Sequence, residues 1–254
     1  MSSNLLLSLT VGALVGGVAA YLGTLMLSRR MALVAGPLGH LTLPGIALAL
    51  VYGFDISLGA FPFVILGIVL IWLFEIKTKL PMEALTAVIF ASGVAIAFLF
   101  LPIGQAEAAL VGDISTVSLL DSAISVVLLT LVFLTIMKIY PQMTLINVSE
   151  DLAKSQGIKV KNYNFLYLLL IAVIVALGVK VVGSLLTAAL VAIPASSTRN
   201  MSRNMLQYVF GATIVGIVSS FSGILLSEFT DFPAGPLIIL VNAFVFLTST
   251  ILKS

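Results

Sequence analysis

Long apolar runs separated by short polar segments repeat along the whole chain. We count nine, and each is close to the roughly 20 residues that an α-helix needs to cross the hydrocarbon of a bilayer. The pattern predicts an all-α integral membrane protein, with one transmembrane domain over residues 1–254. The sixth and seventh runs are barely separated, so a count of eight helices is the alternative. The nine runs lie at about 5–27, 31–52, 57–74, 84–102, 119–138, 164–181, 183–198, 206–227 and 235–252.

Composition supports a membrane location and excludes several classes of protein. Hydrophobic residues make up 61% of the chain and charged residues only 9%, whereas soluble domains carry about 25% charged residues. A net charge of +2 without a basic cluster gives no sign of nucleic-acid binding. The chain has no cysteine, which excludes disulfides and thiolate metal sites.

The sequence contains no recognisable catalytic motif. It has neither the GxxxxGK[ST] phosphate-binding loop nor an HExxH zinc motif, and its single histidine cannot supply a nucleophile–base–acid set. We therefore expect no catalytic residues and no permanently bound cofactor. A protein with many membrane helices and no chemistry of its own usually moves a substrate.

The basic residues predict the orientation of the helices. All Lys and Arg residues except Lys180 follow an odd-numbered apolar run, so they fall on one side of the membrane. Because basic residues mark the cytoplasmic side, the N-terminus is predicted outside and the C-terminus in the cytoplasm. The acidic residues gather at the ends of the runs, away from the bilayer centre where an ion-coupled carrier normally keeps them. This distribution favours an external ATPase over an ion gradient as the energy source.

The second run combines the only histidine, His40, with five residues that break or loosen a helix. An imidazole near mid-membrane depth needs a partner, and it is a common ligand of divalent metals. Irregular backbone at that depth is tolerated only where it is buried in protein or lines a cavity. A histidine that simply packs between kinked helices is the alternative. The five predicted pore-shaping residues are Gly36, Pro37, Gly39, Pro44 and Gly45.

The polar segment 149–158 predicts a short helix outside the membrane, on the cytoplasmic side. Asn147 or Ser149 can serve as N-cap, and Glu150 and Asp151 suit the first turn of the helix dipole. Gly157 fits a left-handed stop. The segment is either a plain amphipathic loop helix or a docking element for a partner.

Six segments, in the same order, resemble the membrane-spanning subunits of the ABC-3 family, the permeases of ATP-driven manganese, zinc and iron importers. "RRMALVAGPLGHLTLPGIALA" at 29–49 is similar to the family's second span. The others lie at 75–100, 110–121, 149–158, 182–198 and 226–240. The resemblance covers nearly the whole chain.

This resemblance implies a homodimeric permease in the plasma membrane of a prokaryote. Its partners would be two cytoplasmic ABC ATPase subunits and an extracytoplasmic metal-binding protein, and its substrate a divalent metal ion. The segment 149–158 would be the coupling helix, with the ATPase contacted by Glu150, Asp151, Leu152, Ala153 and Gly157.

The chain departs from the family at the expected metal site. The family has an aspartate four positions before the histidine of the second span, where the chain has Gly36, and a serine where it has Gly39. His40 is thus the one remaining pore ligand implied by the resemblance. Asp231 fits a family position near the outer mouth, as an entrance ligand or an ordinary loop acid. A self-contained secondary carrier for a small metabolite is the alternative function.

Overall fold

All regular elements in the described part of the chain are α-helices, as predicted. The structure, a computed structural model, describes residues 3–29, 31, 35–54, 56–78, 80–100, 119–183, 186–230 and 232–251. The helices are α1 (Ser3–Ser28), α2 (Ala35–His40), α3 (Leu43–Tyr52), α4 (Ile56–Thr78), α5 (Met82–Phe100), α6 (Leu119–Val148), α7 (Glu150–Ser155), α8 (Val160–Val182), α9 (Thr187–Met201), α10 (Met205–Thr230) and α11 (Ala234–Ile251).

Each predicted apolar run coincides with one helix or a broken pair. Among the described residues, α1, α4, α6, α8, α10 and α11 are long and apolar enough to cross a membrane. The second run is divided between α2 and α3, while the fourth and seventh correspond to α5 and α9. The sixth and seventh runs are separate helices, because α8 ends at Gly183, whose φ of 81° is left-handed. A total of nine membrane helices stays a prediction.

Helix α6 extends ten residues beyond the predicted end of the fifth run. Pro141 lies inside this helix, which continues to Val148. A proline removes only its own N–H donor and bends the helix, while Met143 and Ile146 beyond it are buried. Burial of these two side chains explains why a stretch predicted as a polar loop starts as a helix.

Two helices, α1 and α8, form the centre of the bundle. Within their apolar windows 67% and 61% of the residues are buried, against 28–33% in α4, α6, α10 and α11. Helix α1 packs against α6, α8, α9 and α10. A helix that is apolar all round and surrounded by others is typical of a bundle core. The outer helices expose apolar side chains suited to contact with lipid.

Glycines bring α1 and α10 into backbone contact. A Cβ atom on Gly16 would lie 2.5 Å from the carbonyl oxygen of Gly216, and a Cβ atom on Gly216 would meet the carbonyl oxygen of Gly16. In lipid no hydrophobic effect drives helices together. Small residues let the two backbones approach closely, so van der Waals packing supplies the attraction at such a crossing. The two positions therefore fix how closely these helices approach.

The charged ends of the helices gather at one end of the bundle, which we call the basic end. There α1, α4, α6 and α9 end while α8 and α10 begin. A hydrogen bond of 3.0 Å from Arg29 Nη2 to Asn164 Oδ1 joins the end of α1 to the start of α8. Tyr140 Oη lies 4.0 Å from Met205 Sδ at the start of α10. Other described basic side chains on these segments are Lys77, Lys138, Lys154, Lys159, Lys161, Arg199 and Arg203.

Candidate functional site

His40 is the last residue of α2, at a break in the second predicted span. The break is a turn over Leu41 and Thr42, and Thr42 closes it by donating to the Gly39 carbonyl from its N–H (3.2 Å) and its hydroxyl (2.6 Å). Pro44 then lies in the first turn of α3. Since proline has no N–H, it cannot donate to the His40 carbonyl one turn earlier. The predicted interruption of this span is confirmed.

The imidazole of His40 is half-buried beside an aromatic ring of α5. The centroids of the His40 and Phe90 rings are 5.4 Å apart. No hydrogen bond joins the imidazole to another residue in the described ranges. Those ranges also contain no group of three or more His, Asp or Glu side chains able to hold a metal ion. The position of His40 is therefore compatible with two roles. The imidazole could bind a metal ion during its passage, or it could only pack against its neighbours.

The predicted pore-shaping residues have different surroundings. A Cβ atom on Gly36 would lie 3.3 Å from Ala188 Cβ of α9, so this residue faces the α2–α9 contact. Pro37 accepts a hydrogen bond of 3.2 Å from Leu41 N at the end of α2. Gly45 lies against the backbone of Gly59, where α3 crosses α4. Close helix packing therefore accounts for Gly45, and pore roles for all five residues stay a prediction.

Asp231 lies outside the described residues. Its neighbours form the turn between α10 and α11, where Ser227 Oγ donates to the Phe232 carbonyl at 2.5 Å. A role for Asp231 at the outer mouth stays a prediction.

The short helix α7 forms where the sequence predicts it. Ser149 is the N-cap, because its side chain accepts a hydrogen bond of 3.2 Å from Leu152 N, while Asn147 belongs to α6. At the other end Gly157 has a φ of 77°. Gly157 N donates to Lys154 O (2.9 Å) and Ile158 N to Ala153 O (3.1 Å), which is a Schellman motif. Both ends of α7 are thus fixed by local hydrogen bonds.

Helix α7 rests on the bundle by one small residue and exposes the rest. Ala153 is fully buried, and α7 packs against α6 and α8. Leu152 is 45% exposed. The ion pair between Lys154 and Glu150 (3.1 Å) is exposed on both sides, so it contributes little to stability. Leu152 is therefore an exposed apolar side chain among charged ones, on a helix that is capped at both ends. Such a surface at the basic end is suited to contact with another protein.

A polar cluster at the basic end is absent from the sequence-based predictions. In the sequence, Arg29 was used only as a marker of topology. In the structure its guanidinium lies over the Tyr167 ring, 5.4 Å from the centroid, and donates a hydrogen bond to Asn164. The available signal was Asn164, an amide side chain at the start of an apolar run.

Comparison with known proteins gives relatives of similar length. The high-affinity zinc uptake system membrane protein ZnuB of Haemophilus influenzae is 28% identical over 254 residues, which cover 95% of this chain and 95% of the relative. The manganese import system permease protein ScaB of Streptococcus gordonii is 25% identical over 246 residues, which cover 95% and 88%.

A solved structure shares the fold. The structure of PsaBC from Streptococcus pneumoniae in complex with Fab superposes with a TM-score of 0.84 at 24% identity, over 97% of this chain and 91% of that one. Residues 1–253 match the ABC 3 transport family. The match spans the broken second run, α7 and every outer helix, and the family resemblance predicted from six segments is confirmed. The chain belongs to the ABC 3 transport family.

Proposed function

We propose that this chain is the membrane-spanning permease subunit of an ABC importer for a divalent transition metal, namely manganese, zinc or iron. It works as a homodimer with two cytoplasmic ATPase subunits, which hydrolyse ATP on separate chains, and with an extracytoplasmic metal-binding protein. The metal is a transported substrate. Family membership over the whole chain supports this proposal, as do the names of the zinc and manganese relatives.

The observation that carries the proposal is α7, a capped helix that exposes Leu152 and two acidic side chains at the basic end. A permease driven by a separate ATPase needs a rigid element through which the ATPase can move it. A self-contained carrier needs no such element. None of the relatives described above is named as a carrier of that kind. The carrier alternative is therefore not favoured.

The proposed arrangement in the membrane has nine helices, an external N-terminus and a cytoplasmic C-terminus in a prokaryotic plasma membrane. The basic end faces the cytoplasm, as the distribution of Lys and Arg indicates. His40 serves as a transit ligand and Asp231 as a ligand at the outer entrance. Gly36, Pro37, Gly39 and Pro44 allow the backbone around His40 to bend.

Cysteine labelling in sealed cells tests this orientation, and the absence of native cysteines removes background. Ser155→Cys lies on α7 at the basic end, and Glu228→Cys near the opposite end of α10; both positions are exposed. We expect a membrane-impermeant maleimide to label only Glu228→Cys. After permeabilisation Ser155→Cys should label as well, which shows that it is reactive. External labelling of Ser155→Cys would reverse the topology.

Reconstitution with the ATPase and the metal-binding protein tests the function itself. We expect ATP-dependent uptake of manganese, zinc or iron by the wild type. Leu152→Ala removes the exposed apolar contact, and Gly157→Val places a β-branched residue at positive φ. Both variants should lower uptake about tenfold, the first through the loss of an interface contact of about 1 kcal/mol or more and the second because the strained backbone distorts the end of α7.

A matched control separates docking from backbone strain. Gly53 also has a positive φ of 73° and open space around its Cβ position, but it ends α3 away from α7. Gly53→Val should strain the backbone equally and leave ATPase binding unchanged, whereas Gly157→Val should release the ATPase in pull-down experiments. Equal behaviour of the two variants would contradict a coupling role for α7. Absence of ATP-dependent metal uptake by the wild type would contradict the proposed function.

A further inference from the structure

A groove of about 510 Å³ runs along the surface of the bundle between the end of α9 and the start of α10. It begins at the basic end beside Arg203 and continues over Gly211 to Ile214 and Val215. Gly211 has no side chain to fill it, and a Cβ atom there would lie 3.1 Å from the buried Thr198 of α9, which closes the groove on its inner side. A concave surface of this size is typical of a binding site for a small molecule. We call it the α9–α10 groove.

The deeper part of the α9–α10 groove is apolar and lies within the membrane. Helix α10 is long and apolar enough to cross a bilayer, and Ile214 is 58% exposed on its outer face. The eight residues from Gln207 to Val215 correspond to about 12 Å of helix, close to half of the roughly 30 Å of hydrocarbon. Thr198 Oγ1 already donates to the Pro194 carbonyl at 2.9 Å. This part of the groove therefore has the depth of one leaflet and suits an acyl chain.

The outer end of the α9–α10 groove carries a cation whose backbone is held in place. Gln207 N donates to Asn204 Oδ1 at 2.8 Å, and Arg203 N donates to Gln207 Oε1 at 3.1 Å, so two hydrogen bonds fix the turn before α10. The Arg203 side chain is exposed. Both ion pairs found among the described residues are made by Lys154, so no carboxylate in those ranges neutralises Arg203. A guanidinium at the boundary of the membrane matches the phosphate of a lipid headgroup.

We propose that the α9–α10 groove binds one anionic phospholipid from the leaflet at the basic end. The Arg203 guanidinium donates hydrogen bonds to the phosphate, and one acyl chain lies over Gly211 against Ile214. Charge and depth together select this occupant. A hydrocarbon chain without an anion would leave Arg203 unmatched, and a free phosphate would leave the apolar part unused. The site does not depend on which substrate the protein transports.

Thermal unfolding of the full chain in detergent, with phosphatidylglycerol added in increasing amounts, tests the proposal. We expect Tm to rise by about 5–10 °C at a lipid concentration near 100 times Kd, because the lipid binds only the folded protein. Phosphatidylcholine with the same acyl chains carries no net charge, and inorganic phosphate has no acyl chain. Each of these two should therefore raise Tm much less than phosphatidylglycerol does.

Two substitutions test the two ends of the groove separately. Arg203→Gln removes the charged donor and should raise the half-saturating concentration of phosphatidylglycerol about tenfold or more. Ile214→Trp fills the apolar part and should weaken binding to a similar extent. Lys161→Gln at the exposed start of α8 is the control for charge, and Leu131→Trp on the exposed face of α6 is the control for size. Neither control residue lines the groove, so both variants should respond to the lipid as the wild type does.

The same titrations contain the results that would overturn the lipid site. An equal rise of Tm with phosphatidylcholine or with phosphate alone would do so, as would controls that lose the response together with Arg203→Gln and Ile214→Trp. If Ile214→Trp alters the oligomeric state in size-exclusion chromatography and leaves the response to lipid intact, the groove is a contact between copies of the chain, and the lipid site is wrong. Both substituted residues are exposed, so Tm without lipid should match that of the wild type.

Discussion

Replacing His40 by alanine is expected to reduce metal uptake by about tenfold or more, a loss that even an outer-sphere partner of a metal can produce. The imidazole is the only histidine in the chain. It lies at the break between α2 and α3. A neutral imidazole can bind a divalent cation and release it again, as a transit site requires. Uptake of labelled manganese, zinc and iron at matched expression is the measurement.

A second substitution distinguishes a ligand from a packing residue. His40→Leu keeps an apolar side chain of similar size against Phe90, whose ring lies 5.4 Å from the imidazole, but it has no lone pair. If His40 is a ligand, the alanine and leucine variants should fail equally, with normal amounts of folded protein. Normal uptake by His40→Leu would mean that the histidine only packs, and the metal assignment would lose its residue-level support in this chain.

Gly216→Ala is expected to destabilise the bundle strongly, although it adds only one methyl group. The added Cβ would meet the Gly16 carbonyl oxygen and lie 2.7 Å from Ala20 Cβ, both on the central helix α1. Neither is the flexible end of a side chain, so the helices must separate. Overpacking of this kind costs about 3 kcal/mol, which in a chain of this size lowers Tm by roughly 6–12 °C. Thermal unfolding of the purified protein in detergent measures this shift.

Gly211→Ala is the matched control within the same helix. Its Cβ would touch only the Thr198 side chain, at 3.1 Å. Both substitutions gain the same helix propensity, about 1 kcal/mol, so the difference between them reports the crossing alone. We expect Gly211→Ala to change Tm by no more than a few degrees. A similar small shift for Gly216→Ala would show that α1 and α10 do not meet through these glycines.

Features set by neighbouring residues could be predicted from the sequence. The apolar runs coincide with helices because only a helix satisfies its own backbone within one segment. Ser149 and Gly157 mark the ends of α7 because caps act over a few residues. Pro44 marks the start of α3 for the same reason. The extension of α6 past Pro141 escaped prediction, because it depends on burial against other helices.

Features set by the choice of packing partner could not be predicted. Gly45 looks like a flexible pore residue in the sequence, yet it is needed where α3 meets Gly59. The neighbours of His40 depend on where α5 lies, and no local pattern specifies Phe90. The surroundings of Arg29 emerge only when α1 and α8 are together, because Asn164 and Tyr167 both belong to α8. These contacts join helices that are distant in the sequence, so they exist only after the chain has folded.

The central position of α1 has a consequence for biosynthesis. The ribosome produces α1 long before α9 and α10, which are its most extensive neighbours. During that interval α1 stands among lipid chains, and its mean hydropathy of 2.0 is high enough for it to do so alone. Its glycine surface must stay free for α10, which is synthesised much later. A late step of assembly is therefore the docking of α9 and α10 onto α1, and premature association at Gly16 is a route to misassembly.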